Sequence, residues 1–164
     1  MKNWQQLQNL MFELLRVYQQ ILVLSKQKKD LLVAGKPADL EKVVNQEEVL
    51  LRKAVKVDVA RKQIIQILSK QLVGATDSLT VEELIAFAPS DIIEELSKIG
   101  QDLNTVLLGL KEQNELNKQL IEQALKIVNY NINLYSSRMA GPTYSPQDGD
   151  EKNFHHRATL DYRG

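Results

Sequence analysis

DIIEELSKIGQDLNTVLLGLKEQNELNKQLIEQALKIVNYNINLYSS, residues 91–137, runs without a proline and with helical spacing from end to end. One line along it reads Leu103, Leu107, Leu110, Asn114, Asn117, Ile121, Ala124, Val128, Asn131 and Tyr135. Its steps alternate four and three, the spacing of a coiled-coil or bundle seam. Three of those positions are asparagine. A buried amide must find partners or costs a few kcal/mol, so a helix selected for stability alone would carry leucine there. An apolar seam interrupted by amides suits a helix that keeps a register or meets a partner.

Working outward, the segment before this helix is irregular. Residues 73–90 contain Gly74, Thr76, Asp77, Ser78 and Pro89, all turn-formers. Within them Thr80-Val81-Glu82-Glu83 has the spacing of a capping box and predicts a short helix to about Ala88, with Ser90 capping the long helix. Earlier still, two further helices are predicted, about Lys2–Val33 and Pro37–Leu72. The first has the stripe Trp4, Leu7, Met11, Leu14, Tyr18, Ile21, Ser25, Lys28 and Leu32, which weakens at Ser25 and Lys28. The second has Leu40, Val43, Glu47, Leu50, Ala54, Val57, Arg61, Ile64 and Leu68, flanked by Val44, Leu51, Ile65 and Leu72. Gly35 suits the left-handed cap of the first helix and Pro37 the first turn of the second, so short a connection making an antiparallel hairpin. Gly100 and Gly109 inside the last helix each cost about 1 kcal/mol relative to alanine and allow a kink.

The fold class is therefore all-α: an elongated antiparallel bundle or coiled coil of three long helices, with one short helix in the second connection. Residues 1–137 are expected to form the bundle and 138–164 a flexible tail, because periodicity ends near Met139 and Gly141-Pro142 and Ser145-Pro146 follow. Leu160 and Tyr162 are the tail's candidate contacts with a partner.

Composition sets the outer limits. Hydrophobic content is 43% with only 5% aromatic, as an aliphatic helical core needs. The 21 basic and 21 acidic residues balance, which gives no case for a nucleic-acid partner. There is no cysteine, so no disulfide and no cysteine-type zinc site. The first residues lack the apolar core of a signal peptide, and no apolar run approaches membrane-spanning length, so a cytoplasmic protein without membrane insertion is expected. Charge is uneven along the chain: residues 1–72 carry 13 Lys/Arg against 7 Asp/Glu, whereas residues 73–103 carry Lys98 against seven acids. The acidic middle is expected to lie against the basic helices, the alternative being a separate acidic face.

No catalytic constellation accompanies the helices, and no cofactor is expected. His155 and His156 are adjacent, point apart on a regular backbone and have no third ligand nearby. Glu82/Glu83 and Glu94/Glu95 stand near helix N-termini, where carboxylates complement the helix dipole. Neither glycine of the last helix has phosphate-loop spacing.

The order of long helix, Gly-Lys-Pro-Ala-Asp-Leu turn, charged helix, acidic segment and long helix resembles the FlgN family of flagellar type III export chaperones. The run Asn114–Leu125, then Ile127–Leu134, Gly141-Pro142-Thr143-Tyr144 and the closing Leu160-Asp161-Tyr162-Arg163 carry the resemblance. It implies a cytoplasmic helical protein that binds the C-terminal helical region of hook–filament junction proteins of the FlgK and FlgL kind, and export-apparatus components in addition. It also implies that the last helix grasps the substrate. Alternatives are a chaperone of flagellin or of the filament cap, and a coiled-coil adaptor that dimerises through its seams as a homo-oligomer.

Helix lengths sharpen the expectation. At about 1.5 Å per residue, the last helix outruns the hairpin by roughly ten residues. The expected overhang is its C-terminal end, exposing Tyr130, Ile132, Leu134 and Tyr135, the alternative being that Gly100 lets residues 91–99 fold away as a separate piece in the acidic connection. The partner-binding candidates are accordingly Asn117, Leu120, Ile121, Ala124, Leu125, Val128, Asn131, Ile132 and Tyr135, the two asparagines setting register through their amides.

Overall fold

In the computed structural model, residues 1–74 and 79–139 are described. Four helices follow in order: α1 (Lys2–Ala34), α2 (Pro37–Val73), α3 (Val81–Ile85) and α4 (Ser90–Met139). There is no strand among the described residues. The protein is an all-α bundle, with Met1–Ile127 as one compact unit and a second unit beginning at Val128. The described part of that second unit, 128–139, is the end of α4.

Local chemistry explains the punctuation. Gly35 adopts φ 63°, ψ 43°, a conformation that a Cβ would strain, and the N–H groups of Gly35 and Lys36 close α1 on the carbonyls of Leu32 and Leu31. Pro37 then stands in the first turn of α2, where its missing N–H is no loss. The Thr80 capping box is complete: Thr80 Oγ1 accepts from the Glu83 N–H at 3.2 Å, and Glu83 Oε2 accepts from the Thr80 N–H at 2.8 Å. The short helix stops at Ile85 and continues to Ala88 only as turns. Ser90 is already helical. The Pro89 carbonyl accepts the N–H of Ile93 at 3.2 Å, so Pro89 occupies the capping position expected for Ser90.

Contacts between helices fix direction. Asn3 donates to Gln71, Lys53 pairs with Glu13 and Lys28 with Glu47, so α1 and α2 are antiparallel. Against α4 the offset is instead nearly constant: Gln8 to Glu95, Leu22 to Gly109, Ser25 to Asn114 and Asn117. Thus α1 and α4 are parallel, and the three long helices run up, down and up.

The core is layered along α1. At its start, Trp4, Leu7, Met11 and Leu15 meet Ile64, Ile65 and Leu68 of α2, Leu84 of α3, and Ile92, Leu96 and Ile99 of α4. The next layer joins Leu14, Val17 and Ile21 to Ala54, Val57 and Leu110, with Tyr18 half-buried at its edge. Ser69, fully buried, ties down the second connection: its Oγ donates to the Ile65 carbonyl and accepts from the Leu79 N–H at 2.9 Å.

The acidic segment does not pair with the basic helices. None of the ion pairs among the described residues involves positions 79–103, and Glu82, Glu83, Asp91, Glu94, Glu95 and Asp102 are all exposed. Glu95 accepts from Gln8 and Glu83 from the N–H and hydroxyl of Thr80, and the acidic residues are exposed instead of lying against the basic helices.

Candidate functional site: the second half of α4

The stripe that α4 buries is Ile92, Leu96, Ile99, Leu103, Val106, Leu110, Gln113, Asn117 and Leu120, each buried or half-buried. Its steps alternate four and three without interruption. Leu103, Leu110 and Asn117 belong to the line expected from sequence. The alternate positions are Val106, Gln113 and Leu120 instead of Leu107, Asn114 and Ile121, a rotation by one residue.

The apolar core gives way to a polar layer at Ser25. Its side chain is completely buried. Ser25 Oγ donates to Asn114 Oδ1 at 3.1 Å, and Asn117 Nδ2 donates to the Ser25 carbonyl at 2.9 Å and to Ser25 Oγ at 3.1 Å. Gln113 Nε2 donates to Asn117 Oδ1 at 3.3 Å, so the Asn117 amide is satisfied on both sides. One turn further along α1, Lys28 pairs with the buried Glu47 of α2. No buried side-chain polar atom among the described residues lacks a partner. The weak stretch of the α1 stripe is thus where α1 exchanges apolar packing for hydrogen bonds.

Beyond this layer α4 is unlike its first half. The offsets of 87 to 92 between bonded residues carry Ala34, the last residue of α1, to positions 121–126. Every residue from 121 to 130 is exposed, including Ile121, Leu125, Ile127 and Val128. Ile132 and Tyr135 are 56% and 66% exposed, and Leu134 is half-buried. Ile121, Leu125, Val128, Ile132 and Tyr135 recur at steps of four and three, so one helix face carries them all.

The nine candidate residues therefore divide. Asn117 is buried, its amide engaged by α1. Leu120 is half-buried at the end of the internal stripe. Ile121, Ala124, Leu125, Val128, Asn131, Ile132 and Tyr135 are all exposed. Leu160, Tyr162 and both histidines lie outside the described residues. Among the described residues no three His, Cys, Asp or Glu side chains group as metal ligands, and no helix is long and apolar enough to cross a membrane.

One further feature escaped sequence reading. On the α2 side of α4, a groove of about 1190 Å³ has Met11 and Ile65 in its lining, Leu79 and Ile85 beside it, and Gly100, Asn104 and Leu107 on the α4 wall. A Cβ built on Gly100 meets nothing within 4 Å. Gly109, by contrast, faces α1, where a Cβ would make an ordinary contact with Leu22 at 3.5 Å. Gly100 marked an interruption in the helical pattern, but nothing in a single helix shows an open neighbouring space.

The fold is thus three long helices and one short one, with an apolar face of α4 exposed. The FlgN protein family matches residues 1–151, and the chain belongs to that family of flagellar export chaperones. It is also 25% identical over 129 residues to an uncharacterized protein, YvyG, of Bacillus subtilis strain 168, across 79% of this chain and 78% of the relative. No solved structure matches it.

Proposed function

We propose that this protein is a cytoplasmic chaperone that holds the C-terminal helical region of hook–filament junction proteins, of the FlgK and FlgL kind, before flagellar export. The observation that carries the reading is the unbroken exposure of residues 121–130, on a helix that keeps its apolar stripe there. An apolar helix face without a partner is a docking surface for an amphipathic helix, which contributes its own i, i+3, i+4 and i+7 side chains. The client helix lies along Leu120 to Tyr135. Because the Asn117 amide is engaged by Ser25, Asn131 is the asparagine left to set the client's register.

Binding of labelled C-terminal segments from the junction proteins, flagellin and the filament cap of the same cell tests the reading. The junction segments are expected to bind and the others not. Ile132→Asp is expected to abolish that binding while moving the melting temperature little, since it changes an exposed position. Preferred binding of flagellin or cap segments would reassign the client. Undiminished binding by the variant would remove Ile132 from the site.

A further inference from the structure

The groove beside Gly100 lies open among the described residues. Its α4 wall includes Ser97, Gly100, Asn104 and Leu107, at steps of three, four and three, with Gln101 and Leu103 beside them. Continuing the same line along α4 gives Lys111, Asn114 and Lys118, then Ile121, Leu125, Val128, Ile132 and Tyr135. One helix face thus bears short side chains at one end and bulky apolar ones at the other. A glycine inside a helix destabilises by about 1 kcal/mol relative to alanine. Among the described residues no atom lies within 4 Å of a Cβ built on Gly100.

We propose that the occupant is the distal α4 of a second copy, the two α4 helices pairing antiparallel about Leu116. Residues equidistant from position 116 then face each other. Leu107 meets Leu125 of the second copy, Asn104 meets Val128, Gly100 meets Ile132 and Ser97 meets Tyr135. Every pair joins positions of the two alternating heptad classes, as antiparallel helices require. Large side chains enter where small ones leave room, and each contact occurs twice by symmetry.

Charge selects the same register. Lys111 comes beside Glu122 of the second copy, Lys118 beside Glu115, and Arg138 beside Glu94, with no like-charge pair among these neighbours. In this register Lys111 faces Ile121 of the second copy, whose neighbour Glu122 takes the ammonium, whereas a slip by one heptad sets either Lys118 against Leu107 or Lys111 against Val128 with no adjacent carboxylate to take it. The dimer covers the face assigned above to the client, so the two exclude each other. Its existence does not depend on that assignment.

Sedimentation equilibrium of the full chain across a concentration series tests the dimer. A species of twice the 18.7 kDa chain mass is expected, and a monomer throughout overturns the inference. Gly100→Lys puts a long charged side chain into the groove at a position that tolerates a Cβ, so it should weaken the dimer by about tenfold or more, as expected at a central contact. Its melting temperature should not fall, and junction-protein segments should still bind it. An unweakened dimer overturns the inference. Register is read by cross-linking, since the chain has no cysteine of its own. Asn104→Cys combined with Val128→Cys should oxidise to a covalent dimer, whereas neither single variant should. The two positions are about 36 Å apart along one helix, so they cannot join within a copy. Failure of the double variant to cross-link, or equal cross-linking by Val128→Cys alone, overturns the antiparallel pairing. If the segments bind but no dimer forms, this inference falls and the client reading stands. If the dimer forms and no segment binds, the reverse holds.

Discussion

Between Ile92 and Leu110, α4 presents an apolar side chain at every third or fourth residue and buries it in the bundle. Between Ile121 and Tyr135 it repeats that spacing and leaves the side chains in solvent. Propensity and periodicity are alike in the two stretches. What differs is the neighbour: the first half has α1 beside it, whereas Ala34 ends α1 near positions 121–126. Periodicity thus records that a helix needs a partner, without recording whether the partner lies in the same chain.

The sharpest way to break this comparison is to truncate one side chain in each half. Leu96→Ala, at a fully buried position, should destabilise by about 2–5 kcal/mol in urea or thermal unfolding. Leu125→Ala, measured at a protein concentration low enough to keep the chain monomeric, should change stability by about 0.5 kcal/mol or less. Similar losses from both would show that the distal half is packed, and the contrast would vanish.

The boundary between the halves can be tested at its amides. Asn117→Ala removes the donor to Ser25, and should cost about 1–3 kcal/mol, the range for leaving a buried polar group unpaired. Asn131→Ala, at an exposed position, should leave unfolding nearly unchanged while weakening the client. Equal effects on stability would mean that the Asn117–Ser25 hydrogen bonds do not help hold α4 against α1.

The smallest expected effect lies away from α4 and serves as a control on both halves. Burial raises the Asp58 carboxyl, but hydrogen bonds from Lys62 and Arg61 outweigh it and hold the group below its ordinary value of 3.8. A carboxyl with a lowered folded-state pKa stabilises above its unfolded value and loses that contribution as pH falls through the folded one. Asp58→Asn should therefore lower the melting point slightly at neutral pH, and the difference from wild type should close as pH drops below 3.8. These are ion pairs three and four residues apart within one helix, worth a few tenths of a kcal/mol. A gap that persists unchanged in acid would assign the effect to packing.

Much of this fold was legible in the sequence because its signals are local. Gly35, Pro37 and the Thr80–Glu83 box each act within a few residues, and each fulfils the expected role. The stripes of α1 and α2 were legible for the same reason. The phase of the α4 stripe was less so: Val106 and Leu107 are both apolar and Gln113 and Asn114 both amides, so only the position of α1 decides which of each pair turns inward. Exposure of the distal half could be anticipated from helix lengths. Engagement of Asn117 could not, since Ser25 reads as a weakness in one stripe until its partner on another helix is known. The groove at Gly100 depends on how far apart two helices stand, which no spacing along either records.

The parallel course of α1 and α4 also bears on the acidic surface. Peptide dipoles add along each helix to about half a positive charge at its N-terminus. The starts of α1 and α4 share the first core layer with α3, so partial positive charge gathers at one end of the bundle. The first turn of α1 contains no acidic residue, whereas Glu82 and Glu83 open α3 and Asp91 opens α4, with Glu94 and Glu95 a turn beyond. Carboxylates clustered there offset an electrostatic load that a bundle of strictly alternating neighbours would cancel by itself. In that light the acidity belongs to the architecture, and neutralising Asp91 or Glu94 should destabilise the bundle most at low ionic strength, where dipole interactions are least screened.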